Sequence, residues 1–354
     1  MQRYARYILW IATALAAAIF IFSGFVKIAD PWGGAIKIEE YLTIYSLEWL
    51  KPLSMWLSVG IAMGEFMIGL LLLMRVYLRV VSAIYLAAMV VFTTISLLSA
   101  TLLPIGDCGC FGEAIKLTPW QTFYKNIPLL AVAIALFLQQ RGELLKPNRR
   151  DNIILLSTLV FSSALAIYTT QSMPLLDFTP YRKGSDLRSL LYDNEVQSQS
   201  SVKLIYRNIV SGELREFNLE DTQWRDSDVW EWVETRSSVK SEGSEFIDFA
   251  IYDEYNGNIT REVLTSSTPT TLLVIRDIKE LNQRSLGSIL KDISLREVSG
   301  ERVYLISTGG NLPTELSHLK QATIDYTTLK TMLRPAIGSI TIEDGVITQK
   351  VRYR

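Results

Sequence analysis

Apolar residues run in long, nearly uncharged stretches up to about Leu176, and after it in short alternating blocks. Between Arg6 and Lys27 lie twenty uncharged residues, YILWIATALAAAIFIFSGFV. A helix needs about 20 apolar residues to cross the hydrocarbon core of a bilayer, so this stretch predicts a first span. Three more follow: Pro52 to Met74 with Glu65 inside it, Val80 to about Leu103, and about Trp120 to Gln140 with Lys125 near its start. A fifth, Ile153 to about Leu176, holds no charge. The first run is too long for a signal-peptide core, and FSGFVKIADP lacks a small-x-small cleavage site, so it is read as a retained helix.

Past Pro174 the pattern changes. MPLLDFTPYRKGSDLRSLLYDNEVQSQSSV mixes Pro, Gly and a Ser/Gln cluster and reads as a tether with one short helix. Beyond it EFIDFAIYD, TTLLVIRD, ERVYLIST, ATIDY and the pair IGSITIEDGVITQKVRY read as strands, the last two joined by an Asp-Gly turn. IKELNQRSLGSILKDI, LPTELSHLK and TTLKTMLR carry helical spacing. Such alternation predicts helices packed on a sheet. The order, with a strand and Pro335 before a closing hairpin, resembles the thioredoxin-like fold of membrane-tethered redox proteins. An active member would carry C-x-x-C after TLLVIRD, where a helix N-terminus lowers a thiol pKa. IKELNQRS stands there instead, so this domain is expected to bind or scaffold.

The reading is therefore an all-α membrane bundle followed by an α/β domain: 1–145 a four-helix bundle, 146–178 a fifth span, 179–200 a linker, and 201–354 a degenerate thioredoxin-like domain. Composition agrees, with 49% hydrophobic and 20% charged residues. Charge divides the halves: Met1 to Met173 holds 13 Lys/Arg against 9 Asp/Glu, a net of +4, and the remainder 22 against 27, a net of −5. Arg3, Arg6, Arg75, Arg79, Arg141, Lys146, Arg149 and Arg150 all fall on one side of a five-span topology. Basic loops prefer the cytoplasm. This orientation puts the N-terminus in the cytoplasm and the polar half outside it.

Both cysteines of the chain lie in LLPIGDCGCFGEAIKLTPW, two residues apart and on that outer side. There, thiols tend toward disulfides. Gly106, Gly109 and Gly112 allow the bent backbone a tight ring needs. A ring this small is strained and easily reduced, which suits an exchanging pair better than a staple. Two other readings stay open. Two thiolates make an incomplete zinc site, the one histidine being His318 far along the chain, and a Gly-rich turn with two small buried residues needs no chemistry.

Glu65, midway along the second span, is costly unless paired or facing a wet cavity. It reads either as a proton or quinone contact or as a hydrogen-bonded glue between helices, with Gly60, Gly64 and Gly69 permitting close packing. Lys125 can snorkel outward, or stand near Cys108 and Cys110 and favour a thiolate. Lys27 closes helix one on the same side. Trp10, Trp32, Trp49, Trp56 and Trp120 sit near span ends and read as interface anchors. No phosphate loop, Ser-His-Asp set or basic nucleic-acid stripe is visible.

DCGCFG, followed by IKLTPWQTFYKN with its W-x-x-F-x-K-N element and preceded by the SG-x-x-K of FSGFVKIADP, resembles the DoxX-like membrane proteins, in particular their MauE branch, named for methylamine utilisation. The likeness covers about Tyr4 to Gln140, and the outer domain resembles the tail of Bacteroidetes relatives. It implies a four-helix bundle related in shape to vitamin K epoxide reductase and a part in periplasmic redox or disulfide formation. The C-x-C differs from the C-x-x-C of those reductases. On this reading Cys108 and Cys110 carry the chemistry, supported by Asp107, Gly109, Phe111, Gly112, Glu65, Lys125, Asn126 and Lys27. The expected partners are membrane lipid and a periplasmic or membrane redox protein, with no nucleic acid; a quinone is the candidate cofactor and no metal is expected. The other class of function is a noncatalytic scaffold of an envelope complex.

Overall fold

A computed structural model describes residues 2–102, 107–140, 148–188, 202–208, 213–218, 229–237, 249–253, 257–307 and 312–353. It divides into two units, Met1–Thr179 and Pro180–Arg354.

The first unit holds α1 (Gln2–Ala29), α2 (Pro31–Ile44), a 3-10 turn at Glu48–Leu53, α3 (Ser54–Leu73), α4 (Leu78–Thr101), α5 (Pro119–Gln140) and α6 (Arg149–Gln171). Five stretches are long and apolar enough to cross a membrane: Arg6–Ala29, Glu48–Leu73, Leu78–Thr101, Pro119–Gln140 and Arg149–Gln171. The protein is thus a multi-pass membrane protein. Helices α1, α3, α4 and α5 form a bundle around Ala16, Phe20, Leu72, Tyr85, Met89, Leu129 and Ala133. Helix α6 packs on the edge of that core through Ile154 and Leu155 and places Ala166 against Ile28, Ala62 and Phe66. Side chains such as Leu15, Ile84, Val91, Leu138 and Val160 are exposed on these helices and meet lipid.

Helices α1 and α3 approach closely. A Cβ on Gly24 would lie 2.4 Å from the Phe66 amide nitrogen, and one on Gly69 2.7 Å from that of Ile21. Of the three glycines expected to allow packing, only Gly69 does so; Gly60 and Gly64 have open space.

The stretch from Lys27 to Lys51, between the first two expected spans, contains α2. Asp30 caps it by accepting from the Gly33 N–H at 3.1 Å, and Pro31 occupies its first turn, where a missing N–H costs nothing. At 14 residues it cannot span a membrane. It packs on α3, with the Ser58 hydroxyl donating to the Pro31 carbonyl and that of Ser54 to Glu39. Trp32 is correspondingly tucked in, its ring N–H buried, whereas Trp10, Trp49, Trp56 and Trp120 are exposed as interface anchors would be. The Leu175 N–H donates to the Ala29 carbonyl at 3.1 Å, so α6 ends beside the end of α1.

The second unit is α/β. Its strands are β1 (Val202–Asn208), β2 (Leu214–Asn218), β3 (Trp230–Ser237), β4 (Tyr252–Asp253), β5 (Gly257–Asn258), β6 (Thr270–Ile275), β7 (Arg302–Ser307), β8 (Lys320–Thr323), β9 (Ile337–Glu343) and β10 (Val346–Arg352). The helices are α7 (Thr260–Thr265), α8 (Gln283–Val298) and α9 (Tyr326–Met332). A seven-stranded sheet runs β10-β9-β6-β7-β8-β4-β5, with β6, β7 and β8 parallel and β9 antiparallel to β6. Strands β1 to β3 form a separate antiparallel sheet that the apolar pattern does not announce.

Three expectations change. LPTELSHLK yields only a 3-10 turn at Thr314–Leu316, and EFIDFAIYD only β4, with 245–248 outside the described residues. The expected tether begins later than residue 179. The backbone of Gly184, Ser185 and Leu187 bonds to Ile347 and Gly345 of the closing hairpin, and Leu187 is fully buried. Residues 189–200, and with them most of the expected short helix, lie outside the described residues.

Candidate functional site

The cysteine loop sits between α4 and α5 at the end of the bundle where α1 stops. Its backbone closes on itself: the Cys108 N–H donates to Leu117, that of Gly112 to Gly109 and that of Ala114 to Phe111. Gly109 (φ +60°) and Gly112 (φ +54°) stand in the left-handed region, and a Cβ on Gly109 would press on the Lys37 stem at 3.2 Å. The loop hands over to α5 through a capping box, Thr118 and Gln121 exchanging backbone-to-side-chain bonds at 3.0 and 3.3 Å. Thr122, Asn126, Leu129, Ala133 and Leu136 follow as the buried stripe of α5.

Cys108 and Cys110 are free thiols, each half-buried. Burial pushes the Cys108 thiol above its ordinary pKa, and a charge on Cys110 would push it further; hydrogen bonds from Tyr41 and Thr122 work the other way. The Cys110 sulfur lies 4.0 Å from the Thr122 hydroxyl. Asp107 organises the loop from both oxygens: Oδ1 accepts from the Gly109 N–H at 2.9 Å, and Oδ2 pairs with Lys37 at 2.9 Å. Burial works against the Lys37 charge, but Asp107 and Glu40 outweigh it and hold the pKa up. Phe111 is buried beside Phe22, and the Lys125 ammonium stands over its ring at 4.5 Å.

Below the loop, Glu65 is 5% exposed and is not an isolated charge. Lys27 reaches both of its oxygens, at 2.6 and 2.8 Å. The Ser23 hydroxyl lies 2.6 Å from Glu65 Oε2 and 2.6 Å from the Cys110 carbonyl, linking the ion pair to the loop. Asn126 contacts the Ser96 hydroxyl at 3.4 Å and so joins α5 to α4.

These groups share one cavity of about 320 Å³, lined by Cys108, Cys110, Lys27, Glu65, Lys125 and Asn126 and walled mostly by apolar side chains of α1, α2, α4 and α5. The structure therefore brings together Cys108, Cys110, Gly109, Phe111, Glu65, Lys125, Asn126 and Lys27 of the expected set. Asp107 and Gly112 act behind them, in the loop backbone. Among the described residues no three His, Cys, Asp or Glu side chains converge as metal ligands.

Ser23, Lys37, Tyr41 and Thr122 escaped the sequence reading. For Ser23 the signal was present: in SG-x-x-K, positions 23 and 27 are four apart and so share a helix face. Both meet Glu65, while Gly24 lets α3 come close. Lys37 and Tyr41 lie on α2, where no motif marks them.

Residues 5–139 match the family described as "Methylamine utilisation protein MauE". A curated relative, "Protein TlpB" of Flavobacterium psychrophilum, is 27% identical over 169 residues, which is 46% of this chain and 44% of that protein. The matched part thus spans less than half the length of that relative. No solved structure matches the chain.

Proposed function

With residues 5–139 forming a MauE-type membrane domain, we propose that this protein exchanges electrons or disulfides through Cys108 and Cys110 at the periplasmic face of a bacterial inner membrane, while its C-terminal domain binds the redox partner. The observation that carries the reading is the placement of the only two cysteines, as free thiols, at one cavity with Lys125 and Tyr41. In the exchange, one thiolate attacks a partner disulfide. The partner S–S bond breaks, a mixed disulfide forms, and one partner sulfur leaves as thiolate. The neighbouring cysteine then attacks that mixed disulfide, closing Cys108–Cys110 and releasing the partner as a dithiol; the reverse sequence oxidises a partner dithiol.

The cavity supports a lipid-soluble acceptor of the quinone class on the bundle side. Ile19, Phe20, Met89, Phe92 and Ile95 offer an apolar slot, and Lys125 has no ion-pair partner among the described residues, which leaves its ammonium free to meet a carbonyl oxygen. When bound, a quinone takes the two electrons and two protons of the dithiol. The chain's part is to hold the thiols at the cavity, exclude bulk water and supply cationic groups beside them.

For the outer domain, the order β7-β6-β9-β10, with β6 and β7 parallel and a closing β9–β10 hairpin, supports a thioredoxin-like core. Where an active site would stand, Asn282 and Ser285 cap α8 instead, so partner binding is the role that remains.

The test is a non-reducing gel on Cys108→Ser, Cys110→Ser and the double variant after acid quenching and alkylation. Either single variant should trap a reducible adduct, and the double variant none. If neither single variant gives an adduct and the double variant complements a deletion strain, the loop is a turn and the protein a membrane scaffold.

A further inference from the structure

A second cavity lies at the opposite end of the bundle from the cysteines, among the first turns of α1, the end of α3 with the turn that follows it, and the last turn of α5. It holds about 730 Å³, within the roughly 300–1,000 Å³ of small-ligand sites. Two guanidiniums line it, Arg6 from α1 and Arg75 from the turn between α3 and α4, and no carboxylate stands among its described lining residues. Neither arginine has an ion-pair or hydrogen-bond partner among the described residues.

Two buried acceptors line the same space. Gln140 is 4% exposed, and its Oε1 has no hydrogen-bond partner among the described residues. Thr13 is 6% exposed and spends its one hydroxyl proton on the Leu9 carbonyl at 2.7 Å, so toward any further partner its oxygen only accepts. A buried acceptor left unpaired is costly. An occupant that satisfies this set carries a negative charge for the arginines and hydrogen-bond donors for the two oxygens.

The same cavity is bordered by Trp10 and Leu73, both exposed on helices long and apolar enough to span a bilayer. Exposed tryptophan near a span end marks headgroup depth. An occupant there is in reach of acyl chains as well as of the arginines.

We propose that this cavity binds the headgroup of an anionic phospholipid, with the phosphodiester held by Arg6 and Arg75 and the hydroxyls of a glycerol headgroup donating to Gln140 and Thr13. Phosphatidylglycerol meets each requirement. An ethanolamine headgroup also brings donors, but its ammonium would stand beside two guanidiniums and cancel the charge that draws the phosphate. Phosphatidic acid answers the arginines and brings no glycerol hydroxyl to the two acceptors. The site is separate from the thiols and does not depend on their exchange.

The experiment is native mass spectrometry of the full chain, delipidated in detergent and titrated with dioleoyl phosphatidylglycerol, phosphatidic acid or phosphatidylethanolamine. The wild type should hold phosphatidylglycerol most tightly. Arg6→Gln/Arg75→Gln should bind it about thirtyfold more weakly, as expected when two cations are lost from an anionic surface. Thr13→Val/Gln140→Leu should bind phosphatidylglycerol and phosphatidic acid alike, because the groups that read the glycerol are gone. Equal binding of phosphatidylglycerol and phosphatidylethanolamine by the wild type, or wild-type affinity in the arginine variant, would overturn the proposal. A preference for phosphatidylglycerol over phosphatidic acid that survives in Thr13→Val/Gln140→Leu would overturn the glycerol assignment whether or not the arginine variant folds. Displacement of the lipid by an equal concentration of soluble glycerol phosphate would make this a site for a free phosphate and overturn the lipid reading.

Discussion

The Lys37 ammonium lies 2.9 Å from Asp107 Oδ2, so α2 is joined directly to the residue before Cys108. The same lysine reaches Glu40 at 3.1 Å and lays its stem against Gly109. Helix α2 is therefore tied to the loop that carries the thiols, and the pair can be tested for control of access to them. Lys37→Met keeps most of the stem and removes the charge. Because the pair is partly exposed, at 24% and 20%, stability should fall by no more than about 1 kcal/mol. Alkylation of the cysteines by a water-soluble maleimide should accelerate several-fold. Unchanged alkylation would mean that the loop's own backbone bonds hold it shut.

A second prediction separates glycines by position. Gly24→Ala and Gly69→Ala force α1 and α3 apart, since the new methyl would meet backbone atoms at 2.4 and 2.7 Å. Overpacking of this kind costs about 1–3 kcal/mol. Gly64→Ala meets nothing within 4 Å and should be neutral or slightly stabilising through helix propensity. Thermal unfolding in detergent ranks the three, and equal losses would show that α1 and α3 accommodate a methyl at their contact.

The five spans were legible because a bilayer imposes length and apolarity on every crossing segment, and Arg6 to Lys27 or Pro119 to Gln140 satisfy both without reference to the rest of the chain. Helix α2 was not, because Lys37, Glu39 and Glu40 break its apolar face; only the Asp30-Pro31 start announced it. The cysteines were legible as chemistry from their spacing alone. Their partners were not, since Ser23 and Thr122 look like ordinary small polar residues of membrane helices until the bundle brings them to the loop. Glu65 was recognisable as an anomaly, but its pairing with Lys27, 38 positions away, needed the packing of α1 on α3. In the second unit, β6, β7 and the β9–β10 hairpin followed from buried apolar runs and an Asp-Gly turn, whereas β1 and β2 read VKLIYRN and LREFN, too interrupted by charge to announce strands.

The Lys27–Glu65 pair gives a third prediction. Its side chains are 13% and 6% exposed, so removing one partner strands a charge among helices. Lys27→Met or Glu65→Gln should each disturb the bundle, with Lys27→Met costing about 3–5 kcal/mol because it leaves the carboxylate unpaired. The double variant Lys27→Met/Glu65→Gln should recover much of that loss. A double variant as unstable as the sum of the singles would show that the two residues act independently.

Topology supplies a fourth. Residues 172–179 follow α6, which ends beside the end of α1, and the Cys110 carbonyl is bonded to Ser23 near that same end. In the proposed orientation, protease added to spheroplasts removes a fragment of about 18–20 kDa, the mass of the polar half, and spares the spans. Protection of that fragment until detergent is added would reverse the orientation.

The last prediction concerns Cys108. The thiolate is the reactive form, and burial holds the proton on this sulfur, so its alkylation at neutral pH should be slower than that of an exposed cysteine. The rate should climb with pH through a midpoint above the ~8.5 of a free thiol. Tyr41 lies on α2 and hydrogen-bonds to this sulfur, an interaction that favours the thiolate. Tyr41→Phe deletes only the hydroxyl. It should move the midpoint further up and slow alkylation at pH 7, while the maximal rate at high pH stays the same because access is unchanged. The measurement is the pH profile of iodoacetamide labelling in the Cys110→Ser background, which also removes the second thiol charge and should lower the midpoint relative to the wild type. A Tyr41→Phe profile that rises in rate at every pH would instead assign Tyr41 to shielding the thiol, with no part in setting its proton.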